Sequence, residues 1–291
     1  MDIFAHLAHS PILQAISILL LSLLVGSFLN VVILRLPIMM FRAWKKECQD
    51  VDSLPAHPAL ENLTQPYNLI KPDSHCPGCH APVKAWQNIP IVSFLLLKGQ
   101  CGNCKRSIGL RYPAVESVTA LLSLALVWFY PWGWPLLAML VFTWLLVTMS
   151  VIDIDHQILP DQLTLGLLWI GLAVNSQGIF TDLHSAVWGA IAGYLSLWSV
   201  FWVFKLVTGK EGMGYGDFKL LAALGAWLGY QSILMIILLS SVVGAVVGIA
   251  GILILGRDKD IPIPFGPYLA AAGWIAALFG DQILRYWLPA T

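Results

Sequence analysis

Long apolar segments alternate with polar stretches along the whole sequence. A helix that crosses the hydrocarbon core of a bilayer needs about 20 apolar residues, because each residue advances the helix by about 1.5 Å. By this measure the sequence predicts about eight transmembrane helices, over residues 11–34, 113–130, 133–152, 162–178, 185–207, 218–230, 232–255 and 265–288. The sixth segment is short and rich in glycine. We therefore expect an all-α polytopic membrane protein.

The composition supports this prediction. Of the 291 residues, 58% are hydrophobic and 11% are charged, whereas a soluble domain has about 45–50% apolar and about 25% charged residues. The formal net charge is zero and no basic stripe is present, which argues against a nucleic-acid partner. Five cysteines are too few for a secreted disulfide framework. The class that remains is a chain embedded in a lipid bilayer.

The basic residues predict how the chain is oriented in the membrane. Ten of the sixteen Lys and Arg residues lie between Arg35 and Arg111, in one long polar segment. Basic loops favour the cytoplasmic side, so eight alternating helices place the N- and C-termini on the outer side of the membrane. We divide the chain into a first transmembrane helix (1–34), a cytoplasmic loop subdomain (35–111) and a seven-helix membrane core (112–291). A subdomain of this size usually needs a staple such as a metal ion.

Four of the five cysteines form two CxxC pairs in the predicted loop. Cys76 and Cys79 form the first pair, Cys101 and Cys104 form the second, and 21 residues separate the pairs. Two such knuckles offer four thiolates to a tetrahedral ion such as zinc. A site with four protein ligands has no open position, which makes it structural rather than catalytic. The alternative is a set of reduced or redox-active cysteines without a metal.

Two acidic clusters lie where predicted helices meet the cytoplasmic side. Asp153, Asp155 and Asp161 follow the third helix, and Asp217 ends a Gly-Met-Gly-Tyr-Gly-Asp segment before the sixth. Charged groups near membrane depth are functional-site candidates, and two facing carboxylates that share a proton can activate water as in aspartic proteases. We favour Asp153 over Asp155 as the partner of Asp217, since it lies about 3 Å deeper. Asp161 suits an N-cap or first-turn role, and ordinary caps and turn residues are the alternative for the whole set.

Further motifs extend the pattern over nearly the whole chain. They occupy residues 26–37, 111–113 with Glu116, 152–161, 212–219 and 263–268. Together with the four knuckle cysteines, these motifs resemble the type IV prepilin peptidases. These enzymes are leader peptidases and N-methyltransferases of the GxGD class of membrane aspartyl proteases. No single motif is specific enough alone, but their combination and order are.

The resemblance implies an activity, substrates and site residues. Type IV prepilins or type II secretion pseudopilins would be cleaved after the Gly that ends their basic leader, at the cytoplasmic face of the bacterial inner membrane. The new N-terminal residue, usually Phe, would then be methylated with S-adenosylmethionine. Asp153 and Asp217 match the catalytic pair of the family. Cys76, Cys79, Cys101 and Cys104 match its zinc ligands.

Several points remain open at the level of sequence. No G-x-G-x-x-G follows a predicted strand, so the cytoplasmic loop is the candidate S-adenosylmethionine site only by exclusion. Glu116 is interpreted either as a contact for the substrate amine or as a helix-end charge beside Arg111. Competing functions are a membrane aspartyl protease without methyl transfer, an ion-coupled transporter and a non-enzymatic assembly protein. Carboxylates at one interface and the lack of a sequence repeat argue against the transporter.

Overall fold

The computed structural model describes residues 10–47, 57–61, 63–210, 212–256 and 263–287. The chain divides into two compact units, residues 1–144 and 145–291. Within the described ranges it is helical, and no strand forms. The α-helices, numbered in chain order, are α1 Pro11–Glu47, α2 Pro58–Glu61, α3 Val92–Leu96, α4 Arg111–Phe129, α5 Trp134–His156, α6 Asp161–Asn175, α7 Leu183–Thr208, α8 Tyr215–Leu228, α9 Ile233–Leu255 and α10 Gly266–Trp287.

Each of the eight apolar segments of the sequence forms a helix. Apart from the end of α1, the helix limits lie within four residues of the predicted ones. Five helices are long and apolar enough to cross a membrane, namely Pro11–Glu47, Arg111–Phe129, Trp134–His156, Leu183–Thr208 and Tyr230–Ile254. Helices α6 and α8 have only 15 and 14 residues. An all-α polytopic membrane protein is therefore confirmed, whereas the count of eight spans stays a prediction.

Helix α1 continues beyond residue 34, the predicted end of the first span, to Glu47. Hydropathy detects where a helix leaves the bilayer, but it does not detect where the helix stops. The extension is held by Arg42, a buried residue whose guanidinium donates hydrogen bonds to the backbone carbonyls of Ala59, Leu63 and Gln65. The first 13 residues of the predicted loop are thus a helical stem.

In the first unit, α1 and α4 pack backbone against backbone. A Cβ atom built on Gly26 would lie 2.9 Å from the Cα atom of Glu116, so only glycine permits this approach. Asn30 is buried at the same crossing, and its Nδ2 donates to the carbonyls of Gly26 and Tyr112. The crossing fixes the start of α4 beside the middle of α1.

In the second unit, α8 is the central helix, and it packs against α6, α7 and α10. Ten of its fourteen residues are buried. A Cβ atom on Gly225 would lie 2.1 Å from the carbonyl oxygen of Gly189 on α7, and one on Gly193 would lie 2.5 Å from the carbonyl oxygen of Leu221. Small residues at these crossings let two helix backbones touch, as is usual between membrane helices. The same packing explains how a helix as short as α8 is held.

The side chain of Asn175 caps two of the last carbonyls of α8, and the hydroxyl of Ser232 donates to a third, that of Leu228. Asn175 is buried at the end of α6, and its Nδ2 donates to the carbonyl oxygens of Ala226 and Trp227 at 2.8 and 2.9 Å. Its Oδ1 accepts from the backbone N–H groups of Phe180 and Thr181. The last carbonyls of a helix have no partner within the helix, so this amide satisfies two of them inside an apolar unit.

We predict that Asn175→Ala lowers the free energy of unfolding by about 2 kcal/mol or more, because it leaves several buried backbone groups without partners. The matched control is Ser176→Ala. Its exposed hydroxyl donates to the carbonyl of Ala173 and accepts from Gln177 Nε2 at 3.4 Å, and its loss is expected to change stability by under about 0.5 kcal/mol. Equilibrium unfolding of the purified protein in mixed micelles measures both. Equal effects of the two substitutions would contradict the capping role.

Candidate active site and metal centre

Asp153 lies in the last turn of α5, where its side chain is 5% exposed. Its Oδ2 accepts a hydrogen bond of 3.0 Å from the backbone N–H of Gly266, the first residue of α10. The first N–H groups of a helix have no partner within that helix, and a carboxylate is a strong acceptor for them. A Cβ atom on Gly266 would lie 2.7 Å from that Oδ2 atom. The α10 start and the carboxylate are therefore fitted to each other.

Asp217 lies in the first turn of α8 and is 7% exposed. Its backbone N–H donates to the carbonyl of Gly214, the N-cap residue of the helix. The carboxylates of Asp153 and Asp217 are near enough to repel each other when both are ionised. The structure thus brings together the two aspartates that the sequence analysis paired, one from the end of α5 and one from the start of α8.

Leu159 joins the three chain segments around these carboxylates. A Cβ atom on Gly216 would lie 2.7 Å from the Cβ atom of Leu159, and one on Gly266 would lie 3.2 Å from its methyl carbons. Sequence reasoning assigned no role to Leu159 or Gly266. The available signal was their position inside the motifs at 159–161 and 263–268, but neither residue carries chemistry that reveals its role.

The other two acidic residues of the first cluster are on the surface. Asp155 is exposed. Asp161 is the first residue of α6 after the N-cap Pro160, which agrees with the first-turn role and not with the N-cap role. Both of its carboxylate oxygens accept from Lys219 Nζ, at 2.6 and 2.8 Å. The side chain of Lys219 is 26% exposed and that of Asp161 is 56% exposed. The ion pair therefore aligns the starts of α6 and α8 but adds under about 1 kcal/mol to stability.

The four knuckle cysteines converge in the first unit. All four Sγ atoms lie within 4.8 Å of one another. The Sγ atoms of Cys76 and Cys104 are 3.8 Å apart, and those of Cys79 and Cys101 are 4.0 Å apart. A tetrahedron with metal–sulfur bonds of about 2.3 Å has sulfur–sulfur edges of about 3.8 Å. The donor set therefore fits a tetrahedral ion that prefers thiolates.

Backbone N–H groups around the cluster favour the thiolate form. The N–H groups of Cys104 and Asn103 lower the pKa of Cys101 to about 6. The N–H of Ala81 and the side chain of Asn103 lower the pKa of Cys79. Because the thiolate is the form that binds a metal, these contacts prepare Cys79 and Cys101 for coordination. Hydrogen bonding with the neighbouring thiols, first of all Cys79, instead raises the pKa of Cys104 to about 11.

A cavity of about 580 Å³ lies in the same unit, between the knuckles, α1 and the start of α4. Glu116 forms part of its wall and is 8% exposed. Its Oε2 accepts a hydrogen bond of 2.8 Å from the backbone N–H of Ile91. Glu116 is therefore a buried group of the cavity and not a surface charge at a helix end.

Comparison with known proteins gives consistent results along the chain. Residues 20–130 match the family model of the bacterial peptidase A24 N-terminal domain, and residues 140–249 match that of the type IV leader peptidase family. A relative from Stutzerimonas stutzeri is 55% identical over 97% of this chain and 96% of its own length. Relatives from Pseudomonas aeruginosa and Aeromonas hydrophila are both 54% identical over 99% of this chain, covering 98% and 99% of their own lengths. All three are named prepilin leader peptidase/N-methyltransferase.

The chain belongs to the type IV leader peptidase family. Its two matched regions divide the candidate residues, since the cysteines and Glu116 lie in the first and both aspartates lie in the second. Gly266 lies beyond both matched regions. No solved structure gives a significant match.

We predict that Gly266→Ala lowers the free energy of unfolding by about 1–3 kcal/mol, because the new methyl group overlaps the Asp153 carboxylate. The penalty is expected to shrink in an Asp153→Ala background, where the overlapping atoms are gone. Gly280→Ala on the same helix is the control, since a Cβ atom there meets only Met235 Cε at 3.5 Å. An equal penalty in both backgrounds would contradict the fit between Gly266 and Asp153.

Proposed function

We propose that this chain removes the basic leader of type IV prepilins or type II secretion pseudopilins and then methylates the new N-terminus. The observation that carries the proposal is the convergence of two buried aspartates, Asp153 and Asp217, at the meeting point of α5, α8 and α10. The family supports it, and so do full-length relatives at 54–55% identity that are named for both activities. The chain is thus an enzyme with an endopeptidase step and a methyl-transfer step.

In the peptidase step, Asp153 and Asp217 are the catalytic residues. A buried pair of carboxylates shares one proton, so one member is ionised while the other is neutral. The ionised carboxylate takes a proton from water, and the oxygen attacks the carbonyl carbon of the leader's terminal Gly. The neutral carboxyl polarises that carbonyl and returns a proton to the leaving nitrogen when the C–N bond breaks. The N–H of Gly266 holds one oxygen of Asp153 in a fixed direction throughout.

In the second step, S-adenosylmethionine supplies the methyl group. The lone pair of the new N-terminal amine forms the N–CH₃ bond while the S–CH₃ bond breaks. The bonding electrons remain on sulfur, and the amine releases one proton to water. The products are a monomethylated N-terminus and S-adenosylhomocysteine.

We propose that all eight helices lie in the bacterial inner membrane, with the aspartates at its cytoplasmic face. Helices α6 and α8 are shorter than a typical span, and their packing against α7 supports their place inside the bilayer. In this topology residues 1–34 and 112–291 form the membrane part and 35–111 the cytoplasmic subdomain, into which α1 extends as a stem. The predicted periplasmic termini lie outside the described residues. The partners are the prepilin or pseudopilin substrates and the lipid bilayer.

The ion proposed for the four cysteines is zinc, in a structural role. Its four positions are filled by thiolates, which leaves none for water or substrate. The knuckles contain little apolar core, and the ion joins residues 76–79 to 101–104 across the loop. It therefore holds the wall of the adjacent cavity.

We predict that Asp153→Asn and Asp217→Asn each lower kcat for cleavage of a basic-leader prepilin peptide by about a thousandfold or more, because neither can exchange the shared proton. Asp155→Asn, which changes an exposed carboxylate two residues away, is the control and is expected to retain activity. Product mass after incubation with the full-length protein in detergent measures all three. Retained cleavage in Asp153→Asn with loss in Asp155→Asn would reverse the assignment, and full cleavage in Asp217→Asn would refute the pair.

We predict one zinc ion per chain, and its loss in Cys101→Ser, because three remaining thiolates bind zinc far more weakly. The control is Cys48→Ser, which changes the fifth cysteine and lies outside the described residues. Elemental analysis of both purified variants gives the stoichiometry. Zinc that persists in Cys101→Ser, or that is lost equally in Cys48→Ser, would count against the four-thiolate site.

A further inference from the structure

The cavity beside the cysteine knuckles has the size and lining of a ligand site. Its volume of about 580 Å³ lies within the range of about 300–1,000 Å³ that is usual for small-molecule sites. The rings of Phe28, Phe94 and Tyr112 line it together with polar side chains. Its lining includes neither Asp153 nor Asp217.

Glu116 is a buried carboxylate in this wall that has no cationic partner within the described part of the chain. Its interactions are the N–H of Ile91 and the hydroxyl of Ser27, both of which are neutral. Buried charges in proteins are normally paired, because an isolated charge is expensive to desolvate. The missing partner is then expected to be a cation that enters the cavity.

Two arginines also line the cavity, namely Arg35, which donates to the carbonyls of Asn68 and Pro72, and the exposed Arg106. Arg106 lines the cavity, and its side chain lies against Gly78, where a Cβ atom would be 2.7 Å from Arg106 Cδ. No carboxylate contacts its guanidinium within the described ranges. A ligand that complements Glu116 and Arg106 together carries both a positive and a negative charge, and the three rings suit a flat aromatic base.

We propose that this cavity binds the methyl donor, with Glu116 beside the sulfonium. S-adenosylmethionine has a permanent positive charge on sulfur, a carboxylate that suits Arg106 and an adenine that stacks on aromatic rings. The carboxylate attracts the sulfonium but not the neutral thioether of S-adenosylhomocysteine, so the site favours the donor and releases the product. This inference rests on the proposed methyltransferase activity, and it assigns the residue that recognises the donor.

The test compares the binding of S-adenosylmethionine and S-adenosylhomocysteine to the full-length protein by calorimetry. We expect the wild type to bind the donor about tenfold or more tightly than the product, as for a buried charged contact. Glu116→Gln is expected to reduce this ratio to about twofold or less, and Glu116→Asp to retain part of it. Glu47→Gln makes the same chemical change at an exposed carboxylate outside the cavity and is expected to keep the wild-type ratio.

The ratio separates recognition of charge from a structural role, because damage to the fold weakens both ligands alike. An unchanged ratio in a folded Glu116→Gln protein would overturn the assignment of Glu116. If that variant does not fold, the wild type still decides. On the wild type, a donor analogue with an ammonium in place of the sulfonium should bind as tightly as S-adenosylmethionine. If S-adenosylhomocysteine binds as tightly as S-adenosylmethionine, the inference is overturned.

These outcomes differ from failure of the proposed function. A wild type that cleaves the peptide, binds no donor and transfers no methyl group would refute the methyltransferase activity itself, and the inference with it. A wild type that methylates its product while Glu116→Gln keeps the full preference for the donor would refute only the role of Glu116.

Discussion

The burial of two carboxylates in an apolar helical unit is the constraint on which the catalytic part of the molecule depends. Ionised groups lose hydration when they leave water, and two like charges held close oppose each other's ionisation. The unit meets this constraint at three helix ends. Helix α5 ends with Asp153, α8 begins with Asp217, and α10 begins with the N–H that Asp153 accepts. These helix ends can meet only if the chain segments approach closely, and glycine occupies the positions of closest approach. Gly216 and Gly266 lie around the two carboxylates, and Gly225 lies in the core of the unit.

The first unit solves a different physical problem. A short polar segment cannot bury enough apolar surface to form a stable hydrophobic core. Its fold therefore depends on cross-links and hydrogen bonds. Four sulfurs lie within 4.8 Å of one another, where the proposed ion would join the two knuckles. Arg35 on α1 donates to the carbonyls of Asn68 and Pro72 in the connecting loop. Residues of this unit surround a cavity whose lining carries charges of both signs. One unit is held by close helix packing, and the other by hydrogen bonds to carbonyls together with the ion proposed for its four cysteines.

Much of this architecture follows from local patterns in the sequence. The apolar segments predicted every long helix. The spacing of the four knuckle cysteines predicted that their sulfurs would converge. Hydropathy cannot detect a helix that continues outside the bilayer, so α1 exceeded its predicted end. The roles of Asn175, Gly266 and Leu159 depend on contacts with residues far away in the chain. Glu116 was ambiguous for the same reason, since only the fold shows that it is buried without a cation.

The most direct test of the account is the mass of the mature N-terminus, followed through one turnover of a basic-leader prepilin peptide with and without S-adenosylmethionine. Two activities that use different parts of the chain predict two resolved steps. The leader is lost after Gly at the same rate in both conditions, and the mass of one methyl group then appears only with the donor. The account would be contradicted if removal of the leader required S-adenosylmethionine. It would also be contradicted if the folded protein in detergent did not remove the leader.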